Sequence, residues 1–146
     1  MNPYFAHGRL EVYQAALQFI SWNARLTPDL APPPKIRIAE ATDQLDRASL
    51  SVLLNIAEGN GRRRRPVRAK FFDDARGSAT ECAACLDALV AKGAVADQRI
   101  EEGKALLARI TAMLSKLVAM FEEEGLKEEP VEYRVGGNFE KEKESE

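Results

Sequence analysis

Residues 43–62 read DQLDRASLSVLLNIAEGNGR, and the centre of that stretch, LSVLLNIA at 50–57, decides the fold. Six of those eight residues are apolar, and at 100° per residue Leu50, Val52, Leu53, Leu54, Ile56 and Ala57 cover far more than one stripe of a helix. Upstream, Ile38, Ala41, Leu45, Ala48 and Val52 recur at steps of 3, 4, 3 and 4, which predicts a helix over 36–58 terminated by Gly59. The excess apolar surface around Leu50, Leu53 and Leu54 has two explanations. One is burial deep within its own bundle, and the other is an interface between subunits. A four-helix bundle has no central helix to bury on all sides, so oligomerisation is already suspected.

The same helix carries a polar stripe, Gln44, Arg47, Ser51, Asn55 and Glu58, at steps of 3, 4, 4 and 3. Flanked by apolar positions, it reads as a buried structural network that fixes helix register, because buried polar groups persist only where they are hydrogen-bonded. Arg47 and Glu58 are expected to find Glu81 or Arg76 on the next helix. An active site is the alternative use of such a stripe.

Three more amphipathic segments surround this one. Leu10, Tyr13, Leu17, Ile20 and Ala24 share one face of a first helix that should end near Thr27-Pro28, and PDLAPPP at 28–34 cannot continue it. Pro66, at a favoured first helical position, opens a third helix whose stripe is Phe71, Ala75, Ser78, Cys82, Cys85 and Leu89, ending at Gly93. Within it Ala75, Gly77, Ser78, Ala79, Ala83 and Ala84 leave room for close helix approach, and Gly77 is expected to serve close packing or a kink. Asp97 is a candidate N-cap for a fourth helix bearing Ile100, Leu107, Ile110, Leu114, Leu117 and Phe121, ending at Gly125. No segment alternates with period two for long enough to be a strand. The expected fold is all-α, an antiparallel up-and-down four-helix bundle over residues 1–125 with an acidic, flexible tail at 126–146.

Length and composition agree with one such domain: 146 residues, 45% hydrophobic. No apolar run approaches the roughly 18 residues needed to span a bilayer, and the first twenty residues lack a secretory pattern, so a cytoplasmic protein is expected. Cys82 and Cys85 are too few and too close to staple a fold, which fits a reducing compartment. Charge is uneven. Residues 122–146 carry a net −6 and the preceding part +4, while residues 60–77 carry +5 through Arg62, Arg63, Arg64, Arg65, Arg68, Lys70 and Arg76. One edge of the molecule is strongly positive. Arginine offers a planar fork of donors suited to phosphate, so a nucleic-acid backbone, RNA or DNA, is the candidate ligand of Arg62, Arg63, Arg64, Arg65, Arg68 and Lys70. A solvated interhelical turn that aids solubility is the plain alternative.

Catalysis finds little support in the sequence. His7, the sole histidine, has no carboxylate or serine pattern nearby. Cys82-Ala-Ala-Cys85 lies within a helical stripe, and no second pair completes a zinc site, so neither catalytic nor metal residues are assigned. Gly59-Asn60-Gly61 lacks the lysine and the serine or threonine of a phosphate-cradling loop. The expectation is a non-enzymatic protein without cofactors.

The segment at 43–62 followed by KFFDDARGSATECAACLDAL at 70–89 resembles the four-helix-bundle family named after proteins encoded in intervening sequences of bacterial 23S ribosomal RNA genes. That family also includes the accessory variability protein of diversity-generating retroelements. The shared pattern falls on Gln44, Leu45, Arg47, Ala48, Ser51, Asn55, Ile56, Ala57, Glu58 and Gly59, then on Phe71, Phe72, Ala75, Gly77, Ser78 and Glu81. LEVYQAALQF at 10–19 matches more weakly, and the likeness spans about 8–121. It implies a homo-oligomer, a pentameric ring. For the retroelement branch it also implies binding to nucleic acid and to a reverse transcriptase through basic surface. Two features depart from the pattern: RRRRPVR at 62–68, where relatives commonly carry a serine-containing turn, and the acidic tail. An assembly scaffold that binds no nucleic acid is the alternative function.

Overall fold

The computed structural model describes residues 5–31 and 37–128. Four helices follow in order: α1 Glu11–Leu26, α2 Ala39–Gly61, α3 Arg65–Ala91 and α4 Glu101–Glu128. Short 3-10 turns lie at Ala6–Arg9, Thr27–Asp29 and Asp97–Ile100, and no strand occurs among the described residues. The all-α bundle expected from periodicity is the fold. Each helix packs on its neighbour in the chain and α1 closes against α4, with α2–α3 and α3–α4 the most extensive pairs. Cross-helix contacts descend one helix as they climb the next, as antiparallel neighbours require. Gln44 meets Glu81 and Ser51 meets Ser78, while Asp87 meets Lys104 and Arg76 meets Ser115.

Local chemistry sets the ends. The left-handed Gly93, at φ 75°, stops α3: its amide donates to the carbonyl of Val90 and the Ala94 amide donates to Leu89, which caps the last turn. Ala31 N donates to Ala94 O at 3.0 Å and Arg99 Nε to Asp29 Oδ2 at 2.9 Å, so the chain leaving α1 is tied to the α3–α4 connection. The core between the helices is built on Phe19, Trp22, Leu45, Ile56, Phe72 and Leu86 with Leu89, Ile100, Ile110 and Leu114. Gly103 on α4 is buried there because an added Cβ would overlap the six-membered ring of Trp22.

Several boundaries and faces differ from the sequence reading. The buried face of α1 is Val12, Ala15, Ala16, Phe19, Trp22, Asn23 and Leu26. The expected stripe of Leu10, Tyr13, Leu17 and Ile20 is only half-buried and Ala24 is exposed, because the helix is rotated by about one residue to place its two largest rings, Phe19 and Trp22, inside. Helix α2 continues through Gly59 to Gly61. Gly59 is thus a contact rather than a stop, since a Cβ there would lie 3.0 Å from Phe71 Cβ and 3.1 Å from Phe72 Cε1. Gly77 makes neither a close approach nor a kink: it is exposed inside an unbroken α3, with nothing within 4 Å of an added Cβ. Asp97 sits inside a 3-10 turn and makes no capping bond. Helix α4 continues past Gly125 to Glu128, and the acidic tail beyond it lies outside the described residues.

Candidate nucleic-acid interface

The arginine run forms the turn between α2 and α3. Residues 62–64 connect the helices, and Pro66 lies in the first turn of α3, where its missing N–H costs nothing. The bare backbone of Gly59 lets Phe71 and Phe72 pack directly on α2, so the two helices meet closely just before the turn. The N-terminal end of α3 adds its positive dipole to the guanidinium charges.

Six cations meet at this end of the bundle and divide into two kinds. Arg62 pairs with Glu58 at 2.5 Å and lies 4.9 Å from the Phe71 ring. Lys70 pairs with Asp74 at 3.1 Å and lies 6.0 Å from the centroid of the same Phe71 ring. Arg65 and Arg68 both lie over Phe121 of α4, at 5.7 Å and 4.4 Å, and Arg68 also donates to Asn60 Oδ1 at 3.2 Å. Burial, with Arg65 beside it, lowers the Arg68 pKa from its usual value, and its Nε is buried without a hydrogen-bond partner. Arg63 and Arg64 are different. Both are exposed at the turn, and their side chains form no ion pair or hydrogen bond among the described residues. Four cations are therefore held in place, and two project outward.

Phe121 and Asn60 join this cationic cluster by contact, and the sequence pattern does not reveal them. Phe121 reads as one more core position on α4, and its service as a platform for Arg65 and Arg68 depends on a contact between helices 53 to 56 residues apart in the chain.

The polar stripe of α2 does reach α3, but at the surface rather than in the core. Gln44 Nε2 donates to Glu81 Oε2, Arg47 Nη2 donates to Gln44 Oε1 at 2.7 Å, and Ser51 and Ser78 share a 2.8 Å hydroxyl contact. Asn55 Nδ2 donates to the Ser51 carbonyl at 2.9 Å and to its hydroxyl at 3.0 Å. The expected partners of Arg47 and Glu58 are corrected: Arg47 reaches Glu81 only through Gln44, and Glu58 is held by Arg62. Arg76 stands outside the network. It points toward α4, pairing with Asp73 at 2.6 Å and donating to Ser115 Oγ at 3.3 Å. Beside the network, Leu50 and Leu54 are 50% and 56% exposed. Leu53 is turned inward and packs half-buried on the core, so it does not share their surface.

Other reactive groups are occupied by structure. His7 lies between Phe5 and Tyr13, with ring centroids at 5.6 Å and 4.8 Å. Burial, then the neighbouring Cys85 and Glu81, pushes the Cys82 thiol up to about 12, and burial also raises Cys85. Both thiols are free and buried. Among the described residues no group of three or more His, Cys, Asp or Glu is placed to hold a metal ion, and no helix is long and apolar enough to cross a membrane. An open cleft of about 440 Å³ between α1 and α4 holds Arg25 and Arg109, but they are engaged by Ser21 at 3.0 Å and Glu11 at 3.2 Å.

The fold and this end of it define a class: a four-helix bundle whose middle helices are joined by a cationic turn and laced by a Gln-Arg-Ser-Asn network. The sequence model of the 23S rRNA-intervening sequence protein family matches residues 8–116. The chain belongs to that family. Comparison with individually curated proteins finds no match.

Proposed function

We propose that this chain is a non-enzymatic, self-associating bundle that binds nucleic-acid backbone through the α2–α3 turn. The observation that carries the reading is the division among the six cations. Arg62, Arg65, Arg68 and Lys70 are set against aromatic rings and acids, while Arg63 and Arg64 are left to reach outward. Such an arrangement fixes a positive platform and presents two exposed guanidinium forks to phosphate. Self-association would repeat it around a ring, the pentamer that the family resemblance implies, and a reverse transcriptase is the protein partner suggested by one branch of it.

Exposed Leu50 and Leu54 support the second reading, an assembly scaffold. Two such side chains on one helix face are the apolar surface that a neighbouring subunit covers. The two readings separate experimentally. Arg63→Ala/Arg64→Ala should lower affinity for a labelled structured RNA at least tenfold at low salt and leave the solution mass unchanged. Leu50→Glu/Leu54→Glu should lower the mass measured by light scattering. RNA binding that survives loss of both arginines removes the first reading. A mass unaltered by the leucine changes removes the interface.

A further inference from the structure

We propose that the nucleic acid held at the α2–α3 turn is single-stranded, with an unpaired base stacked on the ring of Phe5. The proposal deepens the phosphate-binding reading of that turn and rests on it. Phe5 is 71% exposed, more than any other large apolar side chain among the described residues. Its ring is nevertheless backed. It stacks on His7 with centroids 5.6 Å apart and planes 11° from parallel, and His7 leans on Tyr13 at 4.8 Å. Hydrogen bonds hold the backbone beneath the rings: Gly8 N donates to Phe5 O at 3.0 Å, Leu10 N to His7 O at 3.1 Å, and Gln14 Nε2 to Gly8 O at 2.8 Å. A flat apolar face is thus built in place and left open to solvent.

Topology puts that face at the cationic end of the bundle. Asn23 of α1 donates to Asp46 of α2, and the turn Ala6–Arg9 that precedes α1 also packs against α2. Parallel helices would set this turn level with residues before α2 begins, so α1 and α2 run in opposite directions. Twelve residues back along α1 and twelve on along α2 then bring Glu11 level with Glu58. The rings lie about one helix spacing, 8–10 Å, across from the end of α2 and within about two helical turns of the arginine run. Arg9, in the same turn as His7, is exposed, and its side chain forms no ion pair or hydrogen bond among the described residues. Phosphate-binding cations therefore stand both within the aromatic turn and beyond α2. Chemistry selects the strand. Unpaired bases stack on aromatic side chains beside a positive groove, whereas a duplex keeps its base faces stacked on one another. A duplex offers phosphate to the arginines and nothing to Phe5.

The test uses the full chain and two labelled DNA probes, a thymidine strand and an abasic strand of the same length and charge. The parent should bind the thymidine strand about tenfold more tightly at low salt. Equal affinity for the two overturns the stacking and leaves the phosphate-binding reading standing. Phe5→Leu keeps apolar bulk but removes the flat face. It should weaken binding of the thymidine strand alone, about five- to tenfold, with the salt slope unchanged. A preference for bases that survives Phe5→Leu overturns the assignment to this ring, and a solution mass altered by Phe5→Leu overturns it by placing the ring in a subunit contact. Phe5→Trp should keep the preference, and because Trp22 is buried the new indole should be the one quenched by the thymidine strand and not by the abasic one. Arg63→Ala/Arg64→Ala should weaken both strands alike. If neither strand responds to that change, or neither binds the parent at the lowest salt, the phosphate-binding reading fails and the proposal falls with it.

Discussion

At the scale of the residue, three glycines with one side-chain chemistry have three different consequences. Gly103→Ala drives a methyl into the Trp22 ring and should cost about 1–3 kcal/mol or more, as overpacking does. Gly59→Ala meets Phe71 and Phe72 at 3.0–3.2 Å and should cost about 1 kcal/mol, with the loss concentrated where α2 and α3 meet. Gly77→Ala meets nothing and should gain roughly 0.5–1 kcal/mol from helix propensity. Urea unfolding of the three variants checks the order, and a destabilised Gly77→Ala would show that its exposed face is covered by another subunit. Cys82 gives a pH test. The folded chain holds its thiol proton up to about pH 12, against an ordinary value of 9.0, so the stability it contributes is complete below pH 9 and is lost as pH rises toward 12. Over that interval the urea midpoint should fall more steeply for the parent than for Cys82→Ala; parallel curves would deny the shift.

Elements show how far sequence carries. Helix periodicity located all four helices, because a 3.6-residue repeat of apolar side chains is a local signal. It misplaced the face of α1, where apolar residues occupy two adjacent stripes and only the demand to bury Phe19 and Trp22 chooses between them. Gly59 shows the same limit, since a glycine near a helix end reads as a stop when its real reason is Phe71 and Phe72 on another helix. The polar stripe was legible from Gln44 to Asn55, where Gln44–Glu81 and Ser51–Ser78 bridge α2 and α3, but not at Glu58, which pairs with Arg62 instead. Its depth was not legible, because neighbouring apolar residues in sequence do not say which way a half-turn faces. A double-mutant cycle on Ser51→Ala and Ser78→Ala should return a coupling of about 0.5–1 kcal/mol, the size of a half-exposed hydroxyl pair. Coupling near zero would mean that each hydroxyl is satisfied as well by water.

On the scale of the whole molecule, charge is arranged rather than averaged. A net −2 conceals a cationic end in which Phe71 and Phe121 carry four of the six cations and leave Arg63 and Arg64 outermost. The cluster of arginines was plain in the sequence, while the aromatic platform beneath it was not, because α4 joins the site only through packing. Counterion release ties the proposed activity to a slope: each phosphate contact removed should lower the salt dependence of log Kobs by about 0.9 on duplex DNA. The most direct measurement is therefore that slope for the parent and for Arg63→Ala/Arg64→Ala, using one labelled DNA duplex across a salt series. The account predicts a steep slope in the parent that falls by close to 2 per binding subunit in the variant, with solution mass unchanged. Identical slopes, or no binding even at the lowest salt, would contradict it.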